Sequence, residues 1–243
     1  RDSSTSRGLG DVYKRQGDTM KKISRSAILF LTFIILIIAF ASTTIYMVRA
    51  ENKTEKNIVV YLDPGHGGFD GGAVSNINGL VEKELVLDIT YRLKRMLEMT
   101  GYVVLLTRKS DEALAGSKRG DILKRVDLIN NSAATLFISI HANSFPDESV
   151  HGAQVFYRNE TECKKLSEEV QKSFVAIDKT NHRMAKMLNG KYLIDHTNKI
   201  GCLVEVGFLS NKTEVTNFQN ENYLEKIAYA IYSGIIAYTQ TKG

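Results

Sequence analysis

Cysteine is scarce: Cys163 and Cys202 are the only two in 243 residues. Cys202 lies inside the apolar run CLVEVGF and reads as a buried strand residue, so the two are expected as unpaired structural thiols rather than a bridge. Charge of either sign is missing from Ser26 to Val48, a run of 23 apolar and small residues. At a rise of about 1.5 Å per residue, that run is long enough to cross a bilayer. The rest of the chain lacks any charge excess. Of 32 Lys/Arg and 27 Asp/Glu, residues 1–50 take eight and three, which leaves 24 of each for residues 51–243 and removes the basic-patch case for nucleic acid. There is no internal repeat, no low-complexity tract and no HExxH motif.

Lys21, Lys22 and Arg25 stand just before the apolar run, so the positive-inside rule keeps the N-terminus in the cytoplasm and sends the remainder outside. Ala39-Phe40-Ala41 and Val48-Arg49-Ala50 resemble small-residue cleavage sites, but the apolar stretch exceeds a usual signal-peptide core and favours an uncleaved anchor. Residues 1–19 lack apolar periodicity and read as a non-native leader ahead of Met20-Lys21-Lys22. The expected organisation is a leader (1–19), a membrane anchor or signal segment (20–50, apolar span 26–48), a polar linker (51–57) and one folded domain (58–243).

In that domain strands and helices alternate. Ile58 to Leu62 reads as a buried strand, followed by a helix from Glu82 to Met99 marked by Leu85, Ile89, Leu93 and Leu97. Strands are expected at Tyr102–Thr107, Leu136–Ile140, Lys191–Ile194 and Ile200–Val206, with an edge strand at Ala153–Tyr157. Helices are expected at Asp121–Asn131, Thr161–Phe174 and Tyr223–Gln240. This order predicts a single α/β domain whose mostly parallel sheet is covered by helices on both faces.

In such sheets ligands bind beyond the carboxyl ends of the strands. His66 lies in DPGHGGFDGG after the first strand, His141 follows LFISI, Glu205 sits near the end of CLVEV, and Glu82 opens the helix after the glycine loop. Two imidazoles and a carboxylate match the ligand set of catalytic zinc, and a further carboxylate beside it would be a general base. Taken singly, the glycine loop reads as a plain turn, His141 as a satisfied core histidine and Glu82 as a first-turn carboxylate favoured by the helix dipole. Glu205 differs, because a carboxylate inside an apolar strand is costly unless paired or metal-bound. No Lys-Ser/Thr follows the glycines, against a phosphate loop. His151, His182 and His196 lie in polar stretches and read as solvated, although His196 is a candidate to line the cleft. Arg108 and Arg125 are candidates for a substrate carboxylate, with loop or helix-surface ion pairs as the plainer reading.

DPGHGGFDGG, VEKELVL, SIHAN and LVEVGFLSN, in this order and spacing, resemble the zinc-dependent N-acetylmuramoyl-L-alanine amidases of bacterial cell walls, over about Ile58 to Tyr238. The membrane-anchored, sporulation- and germination-associated branch, which modifies spore cortex towards muramic lactam, is the most similar. The resemblance implies one α/β domain with a six-stranded sheet, zinc on His66, Glu82 and His141, and Glu205 as the catalytic carboxylate. Glu82 is preferred to Glu84 because the family's Glu-Lys pair aligns with Glu82-Lys83. Asp63 is a candidate to orient a ligand histidine, with a turn aspartate as its plain alternative, and Arg125 and Asn143 are further candidates around the site. Ile200 stands where the family often has proline, and Asn181-His182-Arg183 replaces the usual Asn-Arg-Gly. The expected partners are peptidoglycan and the membrane, with an activating protein as a candidate and the chain itself monomeric on the extracytoplasmic face. An anchored peptidoglycan-binding pseudoenzyme and a zinc peptidase or deacetylase on a similar sheet are the rivals; the missing HExxH weighs against the latter.

Overall fold

The computed structural model describes residues 24–54 and 58–241. The leader and part of the linker lie outside the described residues. Two compact units divide the chain, Arg1–Glu55 and Lys56–Gly243. The first contains α1 (Arg25–Thr54), which includes the first four residues of the expected linker. Arg25–Thr44 of this helix is long and apolar enough to cross a membrane, with a mean hydropathy of 2.5.

The second unit is an α/β domain. Its elements are β1 (Val59–Pro64), α2 (Glu82–Met99), β2 (Val103–Leu106), α3 (Lys118–Asn130), β3 (Leu136–Asn143), β4 (Gln154–Tyr157), α4 (Thr161–Ile177), β5 (Lys186–Met187), α5 (Tyr192–His196), β6 (Ile200–Phe208), α6 (Lys212–Asn217) and α7 (Glu221–Gln240). They build one six-stranded sheet in the order β2-β1-β3-β6-β4-β5. β2, β1, β3 and β6 run parallel, while β4 pairs antiparallel with β6 and parallel with β5.

Side-chain alternation sorts the strands onto two cores. Val60, Leu62, Ile138, Ile140, Cys202 and Val204 face the stripes of α2, α4 and α7. Tyr61, Phe137 and Leu203 face Ile129 of α3 and Leu193 and Ile194 of α5. Asp63, Ser139, His141 and Glu205 continue this second set, one or two steps further along the strands, past the end of the apolar layer. That is the carboxyl end of the parallel strands, and it places these polar residues beyond the apolar layer that α3 and α5 cover.

Leu85, Ile89, Leu93 and Leu97 are all buried, which accounts for α2 over the span read from its four-residue rhythm. Side-chain caps set other boundaries: Ser117 accepts from Gly120 N and starts α3 at Lys118, ahead of the expected Asp121, and Asn220 accepts from Asn222 N and Tyr223 N and starts α7 at Glu221, ahead of the expected Tyr223. Lys191–Ile194 is not a strand. Tyr192–His196 forms one helical turn that buries Leu193 and Ile194, with Asp195 Oδ2 accepting from Gly190 N at 2.8 Å. A short apolar run carries no period of its own, so such a segment reads equally as either element. β4 is not an edge strand either, because β5 pairs along its outer side.

Candidate metal centre

The loop after β1 is held by two buried arginines. Arg125 of α3 is 2% exposed and donates from Nη1 to Asp63 Oδ1 at 2.6 Å and Pro64 O at 2.8 Å, and from Nη2 to His66 O at 2.5 Å. Arg108, which follows β2, donates to Pro64 O at 3.0 Å, Gly65 O at 2.8 Å and Lys83 O at 2.8 Å. Loop carbonyls that a compact turn would leave unpaired thus accept from charged donors. His66 adopts φ 60, the only positive φ among the described non-glycine residues. Such a conformation is costly for a side chain with a Cβ and persists where the surroundings over-determine it.

His66, Glu82 and His141 each offer a ligand atom, all within 4.8 Å of one another. Glu82 Oε1 lies 3.2 Å from His66 Nε2 and 2.9 Å from His141 Nδ1. Asp70 Oδ2 lies 2.9 Å from His66 Nδ1, and its other oxygen pairs with Lys118 Nζ at 2.7 Å. Burial opposes ionisation of Glu82, yet the two imidazoles outweigh it and hold the carboxyl far below its ordinary range. Burial likewise opposes charge on His66, and the hydrogen bonds and charges of Glu82 and Asp70 overcome it and raise the imidazole.

Two glycines give these side chains their room. A Cβ on Gly65 would stand 2.2 Å from His141 Cε1, and one on Gly72, at φ 70, would stand 2.5 Å from Glu82 Oε2. Both imidazole and carboxylate lie directly against bare backbone.

Glu205 pairs in register with His141 across β3 and β6. Its Oε2 is buried and has no hydrogen-bond partner among the described residues. Burial pushes the carboxyl up from its ordinary value, partly offset by His141. An orphaned carboxylate oxygen next to two imidazoles and a carboxylate is the expected arrangement of a cation site with an adjacent base. The donor set fits a divalent ion.

Other expectations fare differently. Glu84 is exposed, and Glu82 is the carboxylate that joins the two imidazoles. Asp63 does not touch a ligand histidine: it is 1% exposed, and its oxygens accept from Arg125, Thr107 and Ser139. The arginine and both hydroxyls outweigh burial and keep its carboxyl below the usual range. Arg125 and Arg108 are not surface ion pairs, because both are buried beneath the loop, where Arg125 reaches the backbone of His66. Asn143 caps its own turn, with Oδ1 accepting from Ser144 N at 2.8 Å. His151, His182 and His196 are exposed, and His196 stacks on Tyr192 at 3.8 Å instead of joining the site. Cys163 and Cys202 are free and buried. Asp70 was not singled out from the sequence; its only signal is the four-residue spacing from His66 within the glycine loop.

A model of the family described as N-acetylmuramoyl-L-alanine amidase matches residues 60–237. The chain belongs to that family. This amidase is 40% identical over 198 residues to the germination-specific N-acetylmuramoyl-L-alanine amidase of Bacillus subtilis, covering 76% of this chain and 81% of the relative. Among solved structures it is similar to the CwlD amidase from Clostridioides difficile in complex with the GerS lipoprotein, with 37% identity, a TM-score of 0.73, and 76% and 100% of the two chains covered. An N-acetylmuramoyl-L-alanine amidase from Clostridium difficile 630 gives 30% identity, a TM-score of 0.71, and 77% and 100% covered. The amidase is thus an enzyme of peptidoglycan, whose muramoyl-alanine link the family name describes.

Proposed function

We propose that the amidase is zinc-dependent and cuts the amide between N-acetylmuramic acid and L-alanine during spore cortex modification, the step that leads to muramic lactam, rather than in general wall remodelling. The convergence of His66, Glu82 and His141 beside the unpartnered Glu205 Oε2 carries this reading. The germination-specific relative supports the cortex assignment. His66, Glu82 and His141 would hold the ion, which when bound supplies Lewis-acid polarisation of the amide carbonyl and acidifies water.

The rest is work for this chain's own side chains. Asp70 fixes the ring of His66, and the backbone clamps from Arg108 and Arg125 fix its Cα. Glu205, whose carboxyl burial raises above its ordinary value, takes the proton of the attacking water through Oε2 and returns it to the leaving amine of L-alanine. Residues 20–50 act as the anchor and 58–243 as the catalytic domain on the extracytoplasmic face; exposed Phe30, Phe33 and Phe40 on α1 suit a lipid surface. The lipoprotein bound to the solved relative supports an activating protein partner here too.

The test is mass spectrometry of fragments released from purified peptidoglycan by the zinc-loaded chain, beside Glu205→Gln. Stem peptides with a new L-alanine amino terminus, lost in the variant, are expected. Cleavage elsewhere, or intact stems even with a lipoprotein partner of the kind bound to the solved relative supplied, would sink the reading.

A further inference from the structure

Glu205 has a neighbour on each side. His141 of β3 and Gln154 of β4 both pair with it in register. Directly paired residues project to the same face, so His141, Glu205 and Gln154 form a row across three strands. Gln154 spends both polar atoms on one segment: Nε2 donates to Met184 O at 3.1 Å, and Oε1 accepts from Arg183 Nη1 at 2.9 Å. Arg183 is further fixed by donation from Nε to His151 O at 2.8 Å and by stacking over Phe208, 4.8 Å from the ring centroid. Its Nη2 has no hydrogen bond and its charge no ion pair among the described residues. An immobilised guanidinium without a counter-charge is a ready carboxylate receptor, because little freedom remains to be lost on binding. Lys191, exposed just before α5, adds a second cation on this face and is among the charges acting on Glu205.

Substrate chemistry gives this wall its side. The carboxyl of muramic acid is consumed in the scissile amide, so the free acids of the substrate lie on the peptide half. We propose that Arg183, held by Gln154, receives a stem-peptide carboxylate beyond the L-alanine and thereby selects acidic over amidated stems. This rests on the amidase reading above and names the determinant on its leaving-group side.

The experiment compares kcat/KM of the full zinc-loaded chain on soluble glycan-peptide fragments with free stem acids and on the same fragments with those acids converted to carboxamides. The wild type is expected to favour the acids by roughly tenfold, the size of one charge-assisted hydrogen bond. R183Q is expected to bring the ratio close to one through KM, and R183K to keep part of the preference. A ratio unchanged in R183Q, or equal losses on both substrates as a purely structural defect would give, overturns the proposal. Cleavage of both fragments by the wild type without preference overturns it alone; cleavage of neither, with a lipoprotein partner of the kind bound to the solved relative supplied, overturns the amidase reading with it.

Discussion

Asp70 Oδ2 sits 2.9 Å from Nδ1 of His66, on the side of the ring away from Glu82. The contact commits Nδ1 and leaves Nε2 facing the cluster. Asp70 itself is held at about 2, where burial is outweighed by Lys118 and His66, so it stays ionised at any working pH. Replacing it with Ala is expected to lower zinc affinity by about 10- to 100-fold, the usual cost of losing such an outer partner. Calorimetric zinc titration checks this, and an unchanged affinity would remove Asp70 from the account.

Gly65→Ala forces a Cβ into the imidazole of His141. Displacing a reacting group by about 1 Å costs on the order of 100-fold in rate, so kcat/KM is expected to fall by at least that much. Circular dichroism should remain native. Near-normal activity would mean that His141 does not need its present position.

Arg125→Met leaves Asp63 charged and buried with two hydroxyls in place of a guanidinium. Breaking a buried pair by removing one partner costs about 3–5 kcal/mol, which urea unfolding would register. A change within about 0.5 kcal/mol, typical of an exposed site, would contradict the placement.

Glu205→Gln separates stability from catalysis. The folded-state pKa of Glu205 is raised by burial, so its neutral form is favoured in the native state. Its stabilising contribution is therefore complete below the unfolded-state value of 4.5 and is lost as pH rises through the folded-state value. In chelator at neutral pH, Glu205→Gln is expected to raise the melting temperature while abolishing turnover. Activity of the zinc-loaded wild type should rise with pH as Glu205 deprotonates, as it does for a general base, and at a lower pH than in chelator because a nearby cation favours the charged carboxylate. A variant less stable than wild type at neutral pH and equally stable at pH 4 would reverse the sign.

The fold was legible where a pattern had length. The stripe Leu85, Ile89, Leu93, Leu97 spans more than three turns and leaves no strand alternative, and a carboxylate within CLVEV is too costly to be incidental. The buried arginines were misread although their signal exists: Ile122, Arg125, Val126 and Ile129 share one helical stripe, and Arg108 directly follows a strand on the side where β1 turns into its loop. Charge reads as exposure in a sequence, whereas here the carbonyls of Pro64, Gly65, His66 and Lys83 each accept from a guanidinium. Asp70 was hidden for another reason, since an aspartate between glycines is ordinary turn chemistry. Tyr192–His196 was beyond reach, because five residues cannot show a helical period.

Three side chains, from the loop after β1 (His66), the first residue of α2 (Glu82) and the end of β3 (His141), are proposed to hold one ion. Elemental analysis and competitive titration of the full chain, wild type against Glu82→Gln and His141→Ala, test it most directly. One tightly held zinc per wild-type chain is expected, with loss of that zinc in both variants and native circular dichroism retained. Undiminished zinc in either variant would contradict it.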